Sequence, residues 1–129
     1  MVYVPDTGLV NIPKFITQST VGKFAWLALD HGATVEAAGT TALTDEVTLY
    51  GGERVLGTVS YEASYKAVIQ YTFSFTGLGA GVPYALKGCG WFDQLAVGGN
   101  PLEVHAFAAD KNVEDDESLQ LTMKLAFAR

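Results

Sequence analysis

Between Ala67 and Thr76 the side chains alternate. Ile69, Tyr71, Phe73 and Phe75 are apolar or aromatic, and Gln70, Thr72, Ser74 and Thr76 lie between them. One face of a helix recurs every three or four residues, whereas one face of a strand recurs every two, so this segment reads as a strand with a single buried face. The C-terminal segment repeats the pattern, with Leu119, Leu121, Met123, Leu125 and Phe127 set against Gln120, Thr122, Lys124 and Ala126. Half-buried strands are stable only when a second layer covers their apolar side.

Further strand signals lie at 23–30, 54–62, 85–92 and 102–109. Turn chemistry separates them: Gly51-Gly52, the glycine-rich 77–81, which reads as a long hairpin turn, Gly98-Gly99-Asn100-Pro101 and the acidic 110–118. Short strands at this spacing predict an all-β fold, a compact antiparallel β-sandwich of jelly-roll-like character. Pro13–Val21 and Val35–Asp45 are the two places where helix is conceivable. Thr, Ser and Ile weaken the first, and Gly39 with three Thr residues weakens the second, so at most one short helix is expected. Residues 1–14, with Pro5, Gly8 and Pro13, read as an extended arm, and 15–129 as a single sandwich domain.

A chain of 129 residues, 49% of them hydrophobic, can bury a core without staples. The single cysteine, Cys89, excludes an intramolecular disulfide and fits synthesis in a reducing cytoplasm. Eight basic residues against fourteen acidic ones give a net charge of −6, a field that repels a phosphate backbone, so no nucleic-acid partner is expected. The first twenty residues lack the basic and apolar regions of a secretory leader, and no apolar run approaches the roughly 20 residues of a spanning helix, so no membrane association is expected.

No constellation points to catalysis, a cofactor or a metal. Gly77-Leu-Gly-Ala-Gly81 is followed by Val82-Pro83-Tyr84 rather than by the helix a dinucleotide site requires. His31 falls in a turn and His105 inside a strand, with no local nucleophile or orienting group. Cys89 has only Lys87 nearby to activate it and reads as a small core residue. The carboxylates between Asp110 and Glu117 lack the glycine and the terminal glutamate of a calcium loop and read as a solvated hairpin. Trp26, Tyr61, Tyr65, Tyr71, Tyr84 and Trp91 read as core or subunit-contact side chains before they read as a sugar platform.

Three short motifs, in order, resemble a family of small tailed-phage virion proteins and the attachment domains at the N-termini of phage tail fibres. Trp26-Leu-Ala-Leu-Asp30 runs into a small-residue loop and then Thr41-Ala-Leu-Thr-Asp-Glu46; Gly90-Trp-Phe-Asp93 follows, then Gly98-Gly99; Phe107 and Lys111 precede the last strand. Two positions depart from the family pattern. Tyr50-Gly-Gly-Glu53 intervenes before Arg54, where the family has its arginine sooner, and Gly88 stands where the family has a glutamate.

The resemblance implies a non-enzymatic virion component, commonly a trimer, located in the particle after synthesis in the host cytoplasm. A tail-fibre or baseplate adaptor held by contacts to other virion proteins is the expected role. A capsid decoration protein is the near alternative, and a carbohydrate-binding module the alternative from another class. The expected interface comprises Val2, Tyr3, Val4, Ile12 and Phe15 of the arm together with Trp91 and its neighbouring loop.

Overall fold

The computed structural model describes residues 23–61 and 66–126. Among them are seven strands and no helix: β1 (Trp26–Asp30), β2 (Val55–Leu56), β3 (Thr58–Tyr61), β4 (Lys66–Ser74), β5 (Tyr84–Phe92), β6 (Pro101–Val113) and β7 (Ser118–Ala126). They form two antiparallel sheets, ordered β2-β1-β5-β6 and β3-β4-β7. The sheets pack face to face as the expected β-sandwich, with seven strands where a full jelly roll has eight.

Register assigns the inner faces. Leu27 pairs with Trp91 and Leu29 with Cys89 in the larger sheet; Ala67 pairs with Leu125, Ile69 with Met123 and Phe73 with Leu119 in the smaller. These residues form one core, joined by Val47, Phe75, Leu86 and Val113. The outer face of the larger sheet is covered as well, because the segment after β1 folds back and lays Leu43 on Ala28 and Phe92. Strands covered on both sides lose their alternation. Hence β7, open to solvent on one side, carries the clear period of two, β4 carries it with two breaks, Val68 being buried and Tyr71 exposed, and β1 and β5 do not carry it.

Val35–Asp45 forms bends and turns, in keeping with at most one short helix, and Pro13–Val21 lies outside the described residues. Other expectations are corrected. Segment 54–62 holds two strands that part company at Gly57, β2 joining β1 and β3 joining β4, while the Gly57 N–H donates to Ala25 O at 2.9 Å. The glycine-rich 77–81 is no hairpin turn, since it carries the chain from β4 in one sheet to β5 in the other. Strand β6 continues to Val113, which confines the acidic turn to 114–117.

Candidate functional site

Asp30 ends β1 with its carboxylate fully buried. Four donors converge on it: the N–H groups of Gly32 (3.0 Å), Thr44 (3.1 Å) and Asp45 (2.8 Å), and the Thr34 hydroxyl (2.7 Å). A buried carboxylate is tolerable only when so satisfied. It ties the returning Thr44-Asp45 backbone to the end of β1, where Asp30 and Glu46 form an isolated bridge and the Val47 N–H donates to Leu29 O at 2.9 Å. Thr34 also explains Gly88, because a Cβ at 88 would fall on the Thr34 hydroxyl and within 2.7 Å of His105 O.

Held this way, Glu46 meets Arg54. Its Oε2 accepts from Nε at 2.9 Å and its Oε1 from Nη2 at 2.5 Å, with both side chains almost wholly buried. The Nη1 donors of the same guanidinium are shared among three carbonyls, those of Gln94 (3.0 Å), Ala96 (3.0 Å) and Gly98 (2.8 Å). Its Cζ lies 3.9 Å from the centre of the Phe92 ring, which adds a cation–π contact. Arg54 is therefore fully engaged, with Glu46 as its ion-pair partner.

One guanidinium thus fixes the loop between β5 and β6. Asp93 closes the loop base by accepting from the Asn100 N–H (2.8 Å) and side-chain amide (2.9 Å). Burial raises the Asp93 carboxyl, but the two Asn100 bonds and nearby Arg54 outweigh it and hold the group below its ordinary range. Gly98 supplies the turn at φ +106°, a conformation side chains rarely adopt. The pinned loop turns Leu95 and Val97 outward, 56% and 63% exposed, beside a hollow of about 250 Å³ that Val47 and Thr48 help to line. Apolar side chains held in water by a buried ionic network form a surface suited to contact.

The residues considered for chemistry have structural duties. Burial, then the charges of Glu103 and Glu36, push the Cys89 thiol up to about 12, which removes it as a nucleophile at neutral pH. His31 stacks on Tyr84 at 4.1 Å and its Nδ1 lies 2.5 Å from Ala85 O. His105 faces Glu36 at 3.1 Å, and the same Glu36 oxygen accepts the Ala106 N–H, which caps part of the β6 edge. In the acidic segment, Asp110 pairs with Lys87, Asp115 accepts from the Gly77 and Leu78 N–H groups, and Glu117 accepts from the Glu114 N–H.

Among the expected interface residues, Val2, Tyr3, Val4, Ile12 and Phe15 lie outside the described residues. Trp91 is corrected: it is fully buried, and its indole N–H donates to Phe24 O at 3.0 Å, so it belongs to the core and presents nothing to a partner. Sequence reasoning missed the Asp30 hub, the Glu46–Arg54 pair and the projecting Leu95 and Val97. The signal available for the last two was their position between a strand end and a glycine pair, where an apolar side chain has no core to enter. No family model, curated protein or solved structure matches the chain.

Proposed function

We propose that the chain is a non-enzymatic structural component of a tailed-phage virion, a tail-fibre or baseplate adaptor that binds other virion proteins through surface area. The observation that carries the reading is convergence. Glu46 from the first motif, Phe92 from the second and Gly98 from the glycine turn all meet at Arg54, so residues far apart in the chain cooperate to hold one apolar loop outward. Such a device is of use to a protein whose work is contact, because a loop ordered beforehand forfeits little entropy on binding. Homo-oligomeric assembly, a trimer in the resemblance, would multiply that contact by symmetry.

Capsid decoration uses the same surface and is the second reading. Quantitative mass spectrometry of purified virions against the major capsid protein separates the two. A few to a few dozen copies per particle support the adaptor; hundreds require the decoration role; absence from particles overturns both. The carbohydrate reading needs Trp26, Tyr84 or Trp91 exposed on one loop-bearing face; the full burial of Trp91 and the stacking of His31 on Tyr84 weigh against it.

A further inference from the structure

Two hollows border charged groups. The larger, a groove of about 470 Å³ between edge strands β6 and β7, has Glu103, His105 and Lys124 in its lining and so already holds charge of both signs. The smaller, of about 250 Å³ beside the pinned loop, is unbalanced. Val47, Leu95 and Val97 form its apolar wall, and Glu46, Glu53 and Arg54 supply its charges. Glu46 and Arg54 neutralise each other in their buried pair, and the Nη1 donors of Arg54 are taken by the three loop carbonyls. That leaves Glu53. It is exposed and, among the described residues, makes no hydrogen bond or ion pair. Asp93 at the loop base is held as a carboxylate by its bonds to Asn100, so the surroundings of the hollow are net negative.

An apolar wall with an unpaired carboxylate at its rim matches one kind of group. Arginine and lysine are apolar stems that end in a cation, and they bury the stem while the head keeps a polar partner. A purely apolar side chain would cover the wall and leave Glu53 without a counter-ion, and an anion would be repelled. The net charge of −6 draws a basic partner toward this surface as well. We infer that the hollow beside the 94–98 loop receives an arginine or lysine side chain of a protein partner, its stem against Val47, Leu95 and Val97 and its head on the Glu53 carboxylate. The inference rests on the reading of this loop as a contact surface. It divides the labour there, since Leu95 and Val97 provide area and Glu53 selects which partner fits.

The test is a titration of the full chain with n-pentylguanidinium and n-pentylammonium, which carry the heads of arginine and lysine, followed by NMR on the methyl signals of Val47, Leu95 and Val97. Saturable shifts in the millimolar range are expected with at least one cation, the tighter of the two naming the residue received. Hexanoate, with the same stem and the opposite charge, should leave the signals in place. Glu53→Gln keeps the size of an exposed side chain and should weaken the cation by about threefold or more. Absent shifts, an equal response to hexanoate, or undiminished affinity in Glu53→Gln overturns the proposal. Movement of the same signals on raising the protein concentration alone would assign the hollow to a second copy and overturn it likewise. Nothing in the titration needs a particle, so its outcome is separate from that of the virion reading. A chain present in virions that fails the titration keeps its proposed role and loses the cation site; one that passes but is absent from virions does the reverse.

Discussion

Arg54 occupies a position where no smaller set of interactions suffices. Its planar fork satisfies a buried carboxylate, three carbonyls and an aromatic face together. Arg54→Met should therefore destabilise the fold by about 3–5 kcal/mol, because it strands the Glu46 carboxylate in the interior. Arg54→Lys, which keeps the charge but loses the fork and the stack, should fall between this variant and the parent. In urea unfolding, Glu46→Gln combined with Arg54→Met should be far less than additive. A loss below about 1 kcal/mol for Arg54→Met would mean that the cage contributes little. Cys89 gives a second prediction at this scale. Its folded-state thiol is raised to about 12, whereas an unfolded cysteine ionises near about 8.5. Above that pH the unfolded chain holds fewer protons than the folded one, so stability present at neutral pH declines as pH rises toward about 12. Tyr84, raised by burial and then by Asp45 and Tyr50, adds to the same alkaline limb. Cys89→Ala should make the decline between about pH 8.5 and 10.5 shallower in denaturant titrations. An unchanged slope would show that the thiol is not held neutral by the fold.

At the scale of elements, the stretch after β1 owes its path to a single close approach. Thr34 bonds Asp30 and lies where a side chain at 88 would begin, so β5 requires glycine there. Gly88→Ala should cost about 1–3 kcal/mol by overpacking. Thr34→Ala should recover only part of the loss, because the carbonyl of His105 also crowds the position. Full recovery in thermal melts would place the whole conflict on Thr34 and refute the role of the backbone. The same packing explains which elements were legible in the sequence. In β4 and β7, Ile69, Phe73, Leu121 and Met123 are buried while Gln70, Thr72, Gln120 and Thr122 are exposed, so the period of two shows through, although buried Val68 and exposed Tyr71 break it within β4. In β1 the run Leu27-Ala28-Leu29-Asp30 is buried throughout, because Leu43 covers the outer side from a segment some fifteen residues later, and no local window records that cover. The candidate site was less legible for the same reason. Glu46, Arg54 and the carbonyls of 94–98 are brought together only by the order of strands β2-β1-β5, and the sequence shows three unconnected loops.

For the molecule as a whole, the two surfaces with unmet potential lie in different places and make separable demands. The groove between β6 and β7 contains an unpartnered carboxylate oxygen, whereas the loop at 94–98 has three carbonyls bonded to Arg54 and two apolar side chains, Leu95 and Val97, exposed. If assembly proceeds through the pinned loop, its outward side chains matter to partners and its inward bonds matter to folding. Leu95→Ser combined with Val97→Ser removes two side chains already more than half exposed, so unfolding free energy should change by no more than about 0.5 kcal/mol. Uptake into particles, measured by competition between variant and parent chains during phage growth, should nevertheless fall by about tenfold or more, the equivalent of about 1.4 kcal/mol at each contact. Deleting residues 1–12 should likewise leave a folded chain that is not incorporated, because the proposed interface includes Val2, Tyr3, Val4 and Ile12. Parental uptake of the Leu95/Val97 variant would remove the loop from the interface. Loss of folding in either variant would show that the surface read as a contact is part of the core, since a chain that binds by area alone must hold its fold without the partner that covers it.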